Sequence, residues 1–383
     1  MKLIHDLHTV HTKHPFVIAR GGASEWTLVR VRLVDRDGVE GWGEAAPNRF
    51  YGETTETAVA ALAKLAPVAE RVLTEDPFAL EDLENEMNAA LRLNGSVKAA
   101  ISAAAHDLVG KRLDVPVYKL WGLDAAKAPR SSFTIGIPAT ERELVERVEE
   151  AEQYPVLKVK LGSDRDAEII RAVRRAAPTK TLRVDANAAW TAKHALRMID
   201  MLVEYGIEFV EQPLPAHDLE GLRFVRERSS LPIIADESCV VATDVAKLAG
   251  IVDGINIKLA KCGGLREALR MIATARAHGM IVMCGCMIES SLGITAAAHF
   301  APLLDHADFD GAALLSNDPF RGANVAPMAA NIQWDVFRDG GTYLVRMLDN
   351  EKPAAFKSDC VPMAPGSSYY SLTELERCYQ VGP

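Results

Sequence analysis

Hydrophobic and polar positions between residue 131 and about residue 319 follow one repeated pattern: a short β-branched run, a polar cluster, then an amphipathic stretch. The runs lie at 133–135, 157–160, 182–185, 209–211, 233–236, 255–258, 282–284 and 308–310. They recur about every 25 residues, the spacing of repeated βα units. Between them Ile169, Ile170 and Val173 recur at helical spacing, as do Leu196, Ile199 and Val203, and Leu265, Leu269 and Ile272. Each set marks a helix with one buried stripe. Gly206 and Gly279 close two of these stretches just ahead of the next run, where a left-handed helix cap favours glycine. The pattern predicts an α/β fold in which eight parallel strands joined by helices form a (β/α) barrel over residues 131–325. In such a barrel the side chains at the carboxyl ends of the strands build the active site.

Residues 1–130 follow a different rhythm. Positions 28–34 alternate like a half-exposed strand, Asp37-Gly38 marks a turn, and 39–42 returns, which predicts a hairpin. Apolar spacing at 57–73, 83–93 and 97–111 predicts three helices, giving an α+β capping domain ahead of the barrel. The segment 326–383, with scattered prolines and Gly-Ser-Ser-Tyr-Tyr, is expected to be irregular chain that returns to pack on the capping domain.

Composition narrows the class of ligand. A chain of 383 residues is too long for one compact core. A net charge of -9 and a pI near 5.7 leave no basic face for nucleic acid or an anionic membrane. A small-molecule ligand is expected instead. The first residues lack an apolar signal core, and no run approaches the roughly 20 apolar residues of a membrane helix, so a cytoplasmic location is expected. Cys239, Cys262, Cys284, Cys286, Cys360 and Cys378 show no CxxC pairing. Reduced, mostly buried thiols are the expectation, with neither a disulfide framework nor a structural zinc.

The strand ends carry the chemistry. Lys160 ends the second run, Asp185 the third, Glu211 the fourth, Asp236 the fifth and Lys258 the sixth. Three carboxylates on adjacent strands repel one another in a desolvated pocket unless a cation neutralises them. All-oxygen ligation suits Mg2+, with Mn2+ as a substitute, rather than zinc. Strands two and six of eight lie opposite across a closed ring, so the two lysines face each other. In Lys158-Val159-Lys160 the strand alternation sends both lysines inward. A lysine beside a divalent cation and a second lysine should have its pKa lowered toward the working pH, which makes it a usable base. A lysine on each face permits inversion of a carbon beside a carboxylate.

These residues resemble the enolase superfamily and its muconate-lactonizing subgroup, through Lys158-Val159-Lys160, Asp185-Ala186-Asn187, Glu211-Gln212-Pro213, Asp236-Glu237-Ser238 and Asn256-Ile257-Lys258. A lysine or histidine base with magnesium against an ene-diolate is the general chemistry of that superfamily. The resemblance implies a modified TIM barrel of the (β/α)7β type. It also implies Lys160 and Lys258 as the acid/base pair, Asp185, Glu211 and Asp236 as magnesium ligands, and Lys158 as a holder of the substrate carboxylate. Thr134 is expected to line the pocket, and Glu289, in Ile288-Glu289-Ser290-Ser291 just past the seventh strand where similar enzymes have a glutamate, is expected among the substrate-binding residues, with positioning of loops as the alternative role.

Within the subgroup the chain is most similar to the dipeptide epimerases. Its eighth strand is expected to end in Asp308-Phe309-Asp310-Gly311, resembling the Asp-x-Asp that holds a dipeptide's ammonium. Two aspartates spaced by two share one side of a strand and form a counter-charge for an amine. The stretches 15–21 and 51–53 resemble the capping loops of alanyl-glutamate epimerases, in which Arg20 would meet an acidic side chain, with Arg49 as a rival. The resemblance thus implies epimerisation of a dipeptide such as L-Ala-L-Glu at its C-terminal residue, and by analogy a homo-oligomer. The alternatives on the same fold are N-acylamino acid racemase, o-succinylbenzoate synthase and muconate cycloisomerase. A non-catalytic metal-binding barrel is the reading from another class.

Overall fold

The computed structural model describes residues 1–316, 332–339, 342–349, 352–354, 360–364 and 367–379. The chain divides into two compact units, Met1–Arg321 and Gly322–Pro383. The expected boundary at 325/326 lies outside the described residues.

The first unit opens with an antiparallel sheet of β1 (Lys2–Ile18), β2 (Gly21–Val34) and β3 (Glu40–Ala45) in the order β1-β2-β3. Val29, Val31 and Leu33 alternate along β2 to one face and are fully buried. They form one core with Leu62 and Leu65 of helix α1 (Thr55–Glu75), Leu83 and Met87 of α2 (Leu80–Ala90) and Ile101 and Ala104 of α3 (Gly95–Leu113). The hairpin and three helices expected over residues 1–130 are therefore present. The long strand β1 was not anticipated. Its residues pair with β2 from Lys2 opposite Val34 to Ile18 opposite Gly21, with a register shift between His11 and Phe16. Most of its side chains are exposed or half-buried, because an edge strand held by backbone pairing needs little apolar alternation.

The barrel strands follow as β4 (Phe133–Ile135), β5 (Val156–Lys160), β6 (Thr181–Asp185), β7 (Ile207–Glu211), β8 (Ile233–Ala235), β9 (Gly254–Ile257), β10 (Ile281–Cys284) and β11 (His306–Ala307). They form one eight-stranded sheet in sequence order, and each neighbouring pair is parallel. The sheet curls until its ends meet: Ser131 bridges Ala307 in parallel, and Ser132 N donates to Ala307 O at 3.0 Å. The last strand is shorter than expected, so Asp308, Phe309 and Asp310 lie just past its end rather than within it. Gly206 and Gly279 adopt φ of 63° and 66°, the left-handed caps expected of them. One helical stripe is corrected. In helix Ala192–Glu204 the buried face is Ala195, Met198, Ile199 and Leu202, while Val203 is 44% exposed, because consecutive residues on a helix point about 100° apart.

The second unit contains β12 (Ile332–Asp339), β13 (Thr342–Asp349), β14 (Lys352–Ala354) and β15 (Tyr369–Ser371), with helix Leu372–Tyr379. They form an antiparallel sheet in which β13 pairs with the other three strands. The expectation of irregular chain is corrected here. So is that of fully reduced thiols: Cys360 and Cys378 form a disulfide with Cα atoms 5.2 Å apart, bringing together two positions whose sequence spacing alone signals no pairing. Cys239, Cys262, Cys284 and Cys286 are free. Among the described residues no helix is long and apolar enough to cross a membrane.

Candidate active site

The mouth of the barrel holds a cavity of about 530 Å³, within the range of small-molecule sites. Its polar lining includes Thr134, Lys160, Lys258, Asp308, Asp310 and Arg20, and apolar walls come from Phe16, Trp26, Leu28, Met287, Ile288 and Leu314. Lys160 ends β5 and Lys258 directly follows β9. Around the ring β6, β7 and β8 separate them on one side and β10, β11 and β4 on the other, so they stand across the mouth from each other.

Asp185, Glu211 and Asp236 lie on the three intervening strand ends, are essentially unexposed, and each offers an oxygen within 4.8 Å of the others. Burial pushes the Glu211 carboxyl up to about 7, with the Asp185 charge adding to the push and Lys158 opposing it. Burial also disfavours the Asp236 carboxylate, but Lys258 and Lys261 outweigh it and hold the group well below the usual range. Asp185 behaves alike: burial is overcome by Lys160 and Lys158, and its pKa is lowered. Glu211 Oε2 has Lys158 Nζ at 2.8 Å as ionic partner yet, among the described residues, no well-formed hydrogen bond. An all-oxygen set with this much mutual repulsion and an incompletely satisfied oxygen fits a hard divalent cation.

The alternation expected of Lys158-Val159-Lys160 is present, with Val159 packed in the outer core and both lysines facing inward. Lys160 Nζ lies 2.6 Å from Asp185 Oδ2, and Lys258 Nζ lies 2.7 Å from Asp236 Oδ2. Lys158 sits deeper, 1% exposed, with Asp308 Oδ2 at 2.7 Å and Glu211 Oε2 at 2.8 Å, and it does not line the cavity. The fall in pKa expected of a lysine concerns the site with its cation bound; among the protein's own groups the pKa of Lys258 goes the other way. Burial lowers it, but Asp236 and Tyr51 outweigh burial and hold it well above the ordinary value, because carboxylate charge here faces the ammonium directly.

Asp308 and Asp310 both face the cavity while Phe309 between them packs into the core. Ser132 Oγ donates to Asp308 Oδ1 at 2.8 Å, and Thr134 N donates to Asp310 Oδ2 at 2.5 Å. The two acids are held apart in pKa. Burial opposes the Asp308 charge, but Lys158 brings its pKa down to about 2, whereas burial and the charge of Asp308 push Asp310 up to about 7.

Arg20 lies in the two-residue turn between β1 and β2. That turn reaches the barrel because Gly162, just past β5, has φ of 106°, and a Cβ there would meet Ala19 Cβ at 2.6 Å. The guanidinium donates to Asn187 O at 2.7 Å, pairs with Glu237 Oε1 at 2.8 Å, and stacks over Phe50 at 4.4 Å. Arg49 also lines the cavity. Glu289 is buried, lies outside the cavity lining, and accepts Met287 N at 2.8 Å, so it fixes the loop after β10. Burial pushes its carboxyl up to about 7.

Three polar residues of the site were not singled out in the sequence: Glu237, Asn256 and Lys261. Asn256 stands two before Lys258 and so shares its face of the strand, a signal that alternation offers. Lys261 follows Lys258 by one helical turn, in helix Leu259–Cys262.

The enolase C-terminal domain-like model matches residues 140–329, and the mandelate racemase / muconate lactonizing enzyme N-terminal domain matches residues 4–122. An L-Ala-D/L-Glu epimerase of Bacteroides thetaiotaomicron is 41% identical over 85% of this chain and 84% of its own. The crystal structure of an Enterococcus faecalis dipeptide epimerase complexed with Mg and L-Leu-L-Tyr superposes with a TM-score of 0.78 at 33% identity, covering 88% of this chain and 94% of that one. A substrate-liganded L-Ala-D/L-Glu epimerase from Bacillus subtilis gives a TM-score of 0.78 at 29% identity, over 92% and 98% of the two chains. The chain belongs to the mandelate racemase / muconate lactonizing enzyme family of the enolase superfamily, in the branch of the dipeptide epimerases.

Proposed function

We propose that this protein is a magnesium-dependent epimerase that inverts the α-carbon of the C-terminal residue of a dipeptide such as L-Ala-L-Glu, acting in the cytoplasm. The observation that carries the proposal is the pair of lysines, Lys160 and Lys258, on opposite strands of one cavity that also holds Asp308 and Asp310. Asp185, Glu211 and Asp236 would hold the Mg2+, with Mn2+ as a substitute. The bound ion supplies fixed positive charge against a substrate carboxylate whose negative charge grows as the α-proton leaves.

The chain's own residues do the rest. Lys160 Nζ, neutral, takes the α-proton from one side, and Lys258 Nζ, as an ammonium, returns one to the other. The roles reverse for the opposite epimer, so each turnover ends with the two protonation states exchanged. Asp308 and Asp310 fix the free ammonium, which an N-acyl substrate lacks, and the Thr134 N–H fixes Asp310. Lys158, held between Asp308 and Glu211, adds positive charge beneath the substrate carboxylate. Arg20 would meet an acidic side chain on the inverted residue.

A second reading of the specificity rests on the walls: Phe16, Trp26, Leu28, Met287, Ile288 and Leu314 suit an apolar dipeptide, and Arg20 is already paired with Glu237.

One experiment separates these readings. The magnesium-loaded enzyme is incubated in deuterated water with L-Ala-L-Glu, apolar dipeptides and N-acyl amino acids, and deuterium at each α-carbon is measured by mass spectrometry. Deuterium at the C-terminal α-carbon of L-Ala-L-Glu supports the proposal, and Asp308→Asn with Asp310→Asn should abolish it. Faster exchange with apolar dipeptides favours the second reading. Exchange only on acylated substrates, unaffected by the two aspartate changes, overturns both.

A further inference from the structure

The three carboxylates of the proposed ion site share a feature beyond their proximity: in each, one oxygen is held by a donor built into the surrounding frame. Asp185 Oδ1 accepts Asn187 N at 2.8 Å, Glu211 Oε1 accepts Asn256 Nδ2 at 2.7 Å, and Asp236 Oδ1 accepts Lys261 Nζ at 2.6 Å. The second oxygen of each faces an inward lysine: Asp185 Oδ2 with Lys160, Glu211 Oε2 with Lys158, and Asp236 Oδ2 with Lys258. Asp185 Oδ2 accepts Asn187 Nδ2 at 3.1 Å as well, so the one-sided hold is confined to Glu211 and Asp236.

The framing donors are themselves fixed. Lys261 is buried and also donates to Asp236 O at 2.6 Å, Cys239 O at 2.9 Å and Asn256 O at 2.9 Å. Its ammonium thus ties the segment after β8 to the end of β9, its three protons shared among four oxygens, and it cannot swing away without giving up those bonds. Asn256 is fully buried within β9, and a Cβ on neighbouring Gly285 would stand 3.0 Å from Asn256 Nδ2.

We propose that Asn256 and Lys261 are positioning residues that restrict Glu211 and Asp236 to one ligating oxygen each, and so make the site select Mg2+ against Ca2+. The physical reason is coordination number. Mg2+ requires a tight octahedron and is served by single oxygens plus water, whereas Ca2+ takes six to eight oxygens and gains from carboxylates that bind through both. A carboxylate with one oxygen tied to a buried amide or ammonium offers no second one without breaking that bond. The proposal rests on the reading of Asp185, Glu211 and Asp236 as the ion site.

The test measures discrimination rather than activity. Dissociation constants for Mg2+ and Ca2+ are obtained by displacing Mn2+, with free Mn2+ followed by electron paramagnetic resonance, for wild type, Asn256→Ala and Lys261→Gln. Removing the Lys261 charge alters attraction for both ions alike, since both are divalent, so the ratio of the two constants isolates the ligation geometry. The expected result is a preference for Mg2+ over Ca2+ in the wild type that falls about 10-fold or more in each variant, the scale on which partners of metal ligands act. Circular dichroism and the melting temperature report whether each variant is folded. Asn256→Ala deletes a single hydrogen bond to Glu211, so it carries the test should Lys261→Gln not fold. An unchanged ratio in folded variants that still bind Mn2+ overturns the inference and leaves the ion site standing. A wild-type protein that binds no Mn2+ overturns the ion site itself.

Discussion

At the scale of single residues, the three inward lysines are chemically identical but differ in what they can reach. Lys158 is enclosed by the carboxylates of Asp185, Glu211 and Asp308, whereas Lys160 and Lys258 each have one aspartate partner and line the cavity. A distinct outcome follows for each. Lys160→Ala should abolish α-proton exchange from one epimer of the substrate and Lys258→Ala from the other, each by about 10²–10⁴-fold, the range for loss of a positioned general base. Exchange in deuterated water, begun separately from L-Ala-L-Glu and L-Ala-D-Glu, measures this. Equal loss from both epimers in both variants would remove the two-sided mechanism. These two lysines and the three acids were legible because strand alternation and position at a strand end are local properties of sequence. Asn256 could have been found by the same alternation from Lys258, but Lys261 and Glu237 could not, because their meaning lies in the oxygen or guanidinium each faces, and that partner is fixed only by folding.

At the scale of elements, the capping helices do more than cover the barrel. Glu84 of α2 is buried, and its carboxylate accepts Arg266 N and Glu267 N at 3.0 Å each and Ser102 Oγ at 2.6 Å. It thereby caps the first turn of the barrel helix Leu265–Ala277, where a negative charge is favoured. Glu84→Gln keeps the shape but leaves one oxygen to serve these donors, and should lower unfolding stability by roughly 2 kcal/mol. A loss of less than a quarter of that, measured by denaturant unfolding, would show the cap to be unimportant. On α3, His106 is buried with Nδ1 2.8 Å from Ser102 O, so that nitrogen carries the proton. Burial pushes its pKa down to about 4 from the ordinary 6.5. The unfolded chain takes up a proton near 6.5 while the folded chain resists until about 4. The stability the neutral ring contributes is therefore complete above pH 6.5 and lost between 6.5 and 4, to a total of about 3 kcal/mol. His106→Gln should flatten that part of the stability profile, and an unchanged slope would refute the assignment. Elements with strong periodicity, the barrel strands and α1 to α3, were readable in advance. Strand β1 was not, because His5, His8, His11 and His14 break its alternation. In the second unit the hairpin cue Asp339-Gly340-Gly341 between two β-rich runs was overshadowed by the prolines around it.

At the scale of the whole molecule, all residues proposed for binding and catalysis lie within Met1–Arg321, and the second unit carries its own sheet and a disulfide. Among its described residues the buried apolar cluster is Val345, Cys360, Tyr370, Leu375 and Cys378, and both halves of the disulfide lie in it. The disulfide adds a covalent tie: Cys360 and Cys378 are 18 residues apart, and closing a loop of that length restricts the unfolded chain by about 3 kcal/mol. Reduction, or the Cys360→Ser change, should therefore loosen Gly322–Pro383 selectively, seen as new proteolytic cuts and faster amide exchange confined to that unit. The rate of α-proton exchange in the deuterium assay should not move, since Cys239, Cys262, Cys284 and Cys286 are already free thiols and none of the residues proposed for the site lies in the second unit. Should reduction leave amide exchange of Gly322–Pro383 unaltered, the disulfide is not what stabilises it. Should catalysis fall in step with that exchange, the second unit takes part in the reaction, and the confinement of the chemistry to Met1–Arg321 would be wrong.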